Sequence, residues 1–210
     1  QYDYVKEQLP QYEMYGVGRD GGLNGEMNAV MWLRDRFEVR DKGTIWLSET
    51  PDTVSMGWDA ACTRILTWVR LRDVASQREF TFFNTHFDHV GQVARQQSGL
   101  MVAREVAERT GAVPAVITGD FNALEDDVAL APLFKAFRSA RRAAIHTDFM
   151  PTFNGWSQTL RVRDGVPDII DHIFVDDGIK IQRYRTVQEP FAGVTLISDH
   201  YPILAEIELP

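Results

Sequence analysis

Ala115-Val116-Ile117-Thr118-Gly119-Asp120-Phe121-Asn122 begins as a short apolar run and ends in polar turn residues. That pattern suits a buried central strand. Gly-Asp-x-Asn is good turn chemistry, so Asp120 and Asn122 read as turn formers. They also read as a functional pair, because residues i and i+2 leaving an extended strand point to one side. Three other segments repeat the pattern of polar groups at the end of an apolar strand. They are Phe83-Asn84-Thr85-His86-Phe87-Asp88-His89, Asp171-His172-Ile173-Phe174-Val175 and Ser198-Asp199-His200-Tyr201-Pro202, and only His146 among the five histidines lies outside them. Taken singly, His86 and His172 read as core histidines and Asp199-His200 as another turn. Four such coincidences in one chain favour a shared site at strand ends, where rigid sheets present catalytic groups.

Outward from these segments, Asn28–Leu33, Arg64–Leu71, Glu79–Thr85, Ile179–Val187 and Ile203–Leu209 read as strands, by alternation or β-branched and aromatic content. Residues 2–9 read as a helix closed by Pro10, and 15–25 as a glycine-dense loop. Val93–Thr110 is the best helix, with Val93, Leu100, Met101 and Ala107 on its expected apolar face and Gly111 as its stop. Asp127–Phe137 reads as a second helix. Strands outnumber helices, and helices recur between them, which predicts a mixed α/β domain of packed sheets with helices outside. No repeat, low-complexity tract or linker divides residues 1–210, so one domain is expected.

Composition narrows the function. The formal charge is −8, from 22 Lys and Arg against 30 Asp and Glu, which disfavours a protein that holds nucleic acid by bulk charge. All the cations except Lys6, Lys42, Lys135 and Lys180 are Arg, the side chain whose planar fork suits phosphate. Arg138, Arg141 and Arg142 form one short cluster and Arg161 with Arg163 another, read as solvated charges or as phosphate contacts. No apolar run approaches the ~20 residues of a membrane span. Cys62 is the single cysteine, which excludes an internal disulfide framework. It leaves the location open between cytoplasm and export.

Asp120, Asp171, Asp199, Asn122 and two or three imidazoles form an oxygen-rich set. There is no HExxH, no GxxxxGK[ST] loop and no evident nucleophile elbow. Such a set suits a hard cation such as Mg²⁺. With His as proton carrier, it has the parts for metal-assisted hydrolysis of a phosphate ester.

The ordered motifs NTHFDH (84–89), GDFNA (119–123), DHIFV (171–175) and SDHYPI (198–203) resemble the endonuclease/exonuclease/phosphatase superfamily, the deoxyribonuclease-I-like group, and especially its small bacterial members. Gly25–Val30, Trp46-Leu47-Ser48 and Gly57-Trp58-Asp59 ahead of Arg64 extend the resemblance over nearly the whole chain. It implies a four-layered α/β sandwich, two mixed β-sheets face to face with helices outside. It implies a Mg²⁺-dependent phosphoesterase, with Mn²⁺ as a substitute, in which water attacks phosphorus. By motif, His86, Asp120, Asn122, Asp171 and His200 are the catalytic candidates, with His200 the base or its partner and Asp171 beside the nucleophile. Arg64, Asn122 and His86 are the substrate contacts, and Asp199 and Asp120 the metal-associated residues. Glu26 is expected as a hydrogen-bond partner of His86, and His172 as a supporting residue.

In the family an Asn on the first strand and a following Gln-Glu pair supply the principal metal-binding Glu. Glu7, Glu13 and Glu26 do not match that place. The expectation is therefore that this Glu and an N-terminal strand, roughly 30–50 residues in all, lie upstream of Gln1. Residues 1–210 alone are then expected to bind Mg²⁺ weakly and turn over little. The substrate stays open between nucleic acid, sugar phosphate, inositol phosphate and lipid head group, and between diester and monoester. Thr152–Trp156 is expected at the pocket rim, its aromatics stacking on substrate or covering core. The chain is expected to be a monomer. A binding protein that kept the fold without turnover is the alternative.

Overall fold

The computed structural model describes all 210 residues. In chain order the elements are α1 (Tyr2–Gln8), β1 (Tyr12–Tyr15), β2 (Val30–Leu33), β3 (Phe37–Trp46), β4 (Ile65–Asp73), β5 (Glu79–His86), α2 (Gln92–Thr110) and β6 (Ala115–Asp120). They continue with a 3₁₀ turn (Val128–Leu130), α3 (Ala131–Ala136), β7 (Arg138–Ser139), α4 (Ala140–Ala143), β8 (Val162–Arg163), β9 (Val166–Pro167), β10 (Asp171–Val175), β11 (Lys180–Thr186) and β12 (Ile203–Glu208).

Six strands in the order β3-β4-β5-β6-β10-β7 form the main sheet. Only β5 and β6 run parallel, and α2 makes the crossover that a parallel pair requires. Successive residues alternate between faces, so Ile117 and Phe174 enter one core while their neighbours Val116 and Ile173 enter the other. The first core lies against α2 and α3, with Phe83, Val102, Phe121 and Leu133 at its centre. The second is closed by two antiparallel ribbons, β1-β2 and β11-β12, through Val30, Trp32, Ile181 and Tyr184. The expected α/β sandwich is the observed architecture, with its second β layer divided into these two ribbons.

Most strands fall where the sequence puts them, but α2 is phased differently. Val93 and Leu100 face solvent, and Ala107 is exposed. The buried stripe runs through Ala94, Ser98, Gly99, Met101, Val102, Glu105 and Val106. Small residues win this face because the helix comes down onto the 3₁₀ turn: a Cβ on Gly99 would stand 1.9 Å from the Ala129 carbonyl oxygen. The expected helix over 127–137 divides into that turn and α3. Asp127 caps the turn by accepting the Ala129 N–H.

Candidate active site

The site follows from register. Across the parallel pair His86 lies beside Asp120, and across the antiparallel pair Asp171 lies beside Asp120. Paired residues share a face, so three polar side chains from β5, β6 and β10 stand in one row at one end of the sheet. His86 Nε2 is 3.2 Å from Asp120 Oδ2. Asn122, at φ 48°, donates its N–H to Asp120 Oδ1 at 2.9 Å. Its Nδ2 donates to the Phe87 carbonyl at 3.0 Å and stands 3.2 Å from His86 Nε2. The i, i+2 reading of Gly-Asp-x-Asn and the turn reading are thus both realised: the turn aims the pair.

His200 reaches the row from the loop before β12. Its Nδ1 donates to Asp171 Oδ2 at 2.8 Å, and its Nε2 faces Asp120 Oδ2 at 3.7 Å. The expected rim segment, 152–156, builds this contact. The Thr152 hydroxyl, fully buried, accepts the N–H groups of Ile170 and Asp171, while the Thr152 carbonyl accepts that of Tyr201. Buried Asn154 donates to the Ser198 carbonyl, and the Asn154 and Gly155 N–H groups share the Asp199 carbonyl. The Phe153 ring lies 5.0 Å from that of His200. Trp156 is exposed.

Electrostatics bind the group together. Burial alone would lower the His200 pKa. The Asp171 hydrogen bond and the charges of Asp171, Asp120 and Asp199 outweigh it and push the value up to about 9. Burial would raise Asp120, but the hydrogen bond and charge of His86, the Asn122 N–H and the His200 charge hold it below the usual carboxylate range. A His raised from about 6.5 contributes stability that is complete below that value and is lost as pH climbs through about 9. In chelator, the thermal midpoint of the parent is therefore expected to decline between pH 6.5 and 9 relative to that of His200→Gln. Parallel melting curves across that range check it, and a constant difference counts against the pairing.

Ligand atoms of Asp120, Asp171 and His200 all lie within 4.8 Å of one another. The two carboxylates offer oxygen ligands that suit a divalent cation, while His200 Nδ1 is spent on Asp171. Asp199 is outside this set and acts on His200 through its charge and on residues 154–155 through its carbonyl. Cys62, Asp88 and His89 also converge. There Arg64 lies against both Asp88 Oδ2 and His89 Nδ1, and Asp88 Oδ1 already accepts two backbone N–H groups.

The remaining candidates separate. His172, next to Asp171, points to the opposite face and is buried among Phe121 and Phe174, with Nε2 2.8 Å from the Ala123 carbonyl; burial lowers its pKa. Its support for the site runs through the backbone after Asn122. Glu26 pairs with Arg19 instead of His86. Arg64 is buried near His86. Arg141 and Arg142 are held by Glu125, Arg138 by the carbonyls of Asp177 and Ile179, and Arg161 and Arg163 by Asp168. Arg142, Arg161 and Arg163 remain about half exposed in these pairs, as solvated charges do, while Arg141 is largely covered.

A sandwich with a histidine–carboxylate row at its strand ends has known counterparts. The model of the endonuclease/exonuclease/phosphatase family matches residues 17–200, and the chain belongs to that family, whose members are phosphoesterases. It superposes on a Bacteroides vulgatus endonuclease/exonuclease/phosphatase with TM-score 0.91 and 38% identity, covering 100% of this chain and 80% of that one. It superposes on the Bacteroides thetaiotaomicron mannosyl-6-phosphatase with TM-score 0.88 and 33% identity, covering 99% and 80%. Danio rerio TDP2 complexed with a single-strand DNA product shares the fold at TM-score 0.77 and 14% identity, covering 99% and 81%. No curated protein matches the chain.

Proposed function

We propose that the protein is a divalent-cation-dependent phosphoesterase in which water attacks phosphorus in the opening between Asp120, Asp171, His86 and His200, and that its substrate is a sugar phosphate monoester. The observation that carries the chemistry is the register-aligned row closed by the 2.8 Å His200–Asp171 contact. The substrate class rests on the likeness, at 33% identity, to a mannosyl-6-phosphatase, and on the acidic charge, which does not favour a long polyanion.

Asp171 accepts the His200 Nδ1–H and so fixes the ring with Nε2 toward Asp120. Nε2 is the atom that takes a proton from water as its oxygen bonds to phosphorus; the P–O bond to the sugar breaks, and the departing alkoxide takes a proton from solvent. Asn122 Nδ2 and His86 Nε2, both at the mouth of the row, donate to phosphate oxygens as charge builds on them. Asp120 and Asp171 would hold a divalent cation (Mg²⁺, or Mn²⁺ in its place), which when bound would supply positive charge against the phosphate's and weaken the carboxylate field that keeps His200 protonated.

The test compares mannose 6-phosphate, 4-nitrophenyl phosphate and bis(4-nitrophenyl) phosphate, with Mg²⁺, Mn²⁺ or chelator. It is run both on residues 1–210 and on the complete product of the gene. Monoester turnover that chelator abolishes is the expected result, with residues 1–210 by themselves turning over little. Turnover of the diester alone replaces the substrate class with a nuclease-type one. No turnover of any ester by either protein returns the chain to a binding role.

A further inference from the structure

Trp156 combines two features that each carry a cost. Its side chain is 64% exposed, and its backbone stands at φ 63°, directly after Gly155 at φ 58°. A bulky residue rarely adopts the left-handed region, and strain of this kind collects at ligand-binding sites. The turn is held from below. Buried Asn154 accepts the Trp156 N–H at 2.8 Å and donates to the Ser198 carbonyl, while the Gly155 N–H is bonded to the Asp199 carbonyl. The indole is thus tied to the loop that delivers His200. Arg161 comes to the same glycine: a Cβ on Gly155 would lie 2.8 Å from Arg161 Nη1, so the missing side chain makes room for the guanidinium. That guanidinium lies over the Phe153 ring at 4.9 Å, and the Phe153 ring stands 5.0 Å from that of His200. The carboxylate beside it, on Asp168, is 3.9 Å from Arg161 Nε, beyond hydrogen-bonding range. The Arg161 side chain is 46% exposed, which leaves its fork open to a ligand.

We propose that Trp156 and Arg161 form the subsite for the organic group of the substrate, and that this group is a pyranose ring. The C–H face of a pyranose covers an indole, whose face carries negative charge, and the planar fork donates to neighbouring ring hydroxyls. A second oxyanion fits less well, because the Asp168 carboxylate already offsets the charge of Arg161. Hydroxyls ask only for donors. The proposal rests on the sugar phosphate reading for the place of the phosphate, and deepens it by assigning the residues that recognise the sugar.

The experiment is acrylamide quenching of tryptophan fluorescence in the His200→Ala variant of the complete gene product with Mg²⁺, so that an ester is held and not consumed. Trp32 and Trp68 are buried, and the quenching that a further Trp156→Phe change removes belongs to Trp156. Mannose 6-phosphate and glucose 6-phosphate are expected to suppress most of that component. Steady-state kinetics supply the second readout, in variants with His200 intact. Trp156→Ala removes the stacking face, and Arg161→Lys keeps the charge beside Asp168 but lacks the fork. Each is expected to raise KM for mannose 6-phosphate by about tenfold, with kcat little changed, and to leave both constants for ring-free ethyl phosphate unaltered. The proposal is overturned if neither hexose phosphate protects Trp156, if adenosine 5′-monophosphate protects it in their place, or if the variants impair ethyl phosphate as much as mannose 6-phosphate. Failure of every ester to turn over would remove the phosphoesterase reading and leave the quenching result to decide the subsite.

Discussion

His200→Ala is expected to lower kcat for phosphate-ester hydrolysis by about a thousandfold, the middle of the range for a positioned proton carrier. KM should change far less, because the groups proposed to meet the phosphate oxygens are His86 and Asn122. Three contacts concentrate the role on this ring: the 2.8 Å bond to Asp171, the Phe153 ring beside it, and the open side toward Asp120. Asp171→Asn is a sharper version of the same test. An amide of equal size keeps the packing but presents N–H or C=O with no charge, so it no longer holds the imidazole in one orientation. Steady-state kinetics of both variants in the active form of the protein decide the matter. A loss under tenfold for His200→Ala would remove it from the reaction.

Gly119→Ala is expected to remove most of the activity from a position that carries no functional group. A Cβ there would lie 2.3 Å from the Thr85 carbonyl oxygen. Thr85 is not free to move, because its hydroxyl is bonded to the Ile65 carbonyl in the next strand. β6 must therefore shift against β5 beside the His86–Asp120 register pair. Misplacing catalytic groups by about 1 Å costs on the order of a hundredfold in rate, and overpacking costs about 1–3 kcal/mol of stability. Gly99→Ala is the control. Its Cβ would strike the Ala129 carbonyl even more closely, so it loses stability without reaching the row. Comparable thermal destabilisation with unequal rates is the expected outcome; full activity in Gly119→Ala would show that the sheet tolerates the shift.

Legibility in the sequence tracked burial. β6 and β10 are short apolar runs ending in charge, and both stand where they were read. Phe37–Trp46, the longest strand, carries no clear strand pattern in its sequence. It is an edge strand with Glu38, Arg40, Asp41 and Lys42 along it, and a bulge between Val39 and Asp41 interrupts its period of two. The phase of α2 departs from the expected one because its apolar residues are split between faces, and close approach at Gly99 decides which face is buried. Of the site, the four motifs named His86, Asp120, Asn122, Asp171 and His200, and all five meet. The residues that hold them were harder to see. Thr152 and Asn154 act through one hydroxyl and one amide on distant backbone, and Asp59 accepts the Val93 and Ala94 N–H groups at the start of α2 from more than thirty residues away. Residue type alone does not reveal bonds of that reach.

The alignment of β5, β6 and β10 also makes activity a report on folding. A slip of one residue between β6 and β10 would turn Asp171 into the core and bring His172 out, yet the strands would still pair and much apolar surface would still be covered. Such a molecule would be compact, with nearly native secondary structure, and silent as a catalyst. Specific activity in a refolded sample therefore counts correctly threaded molecules, a quantity that circular dichroism and gel filtration would both overstate.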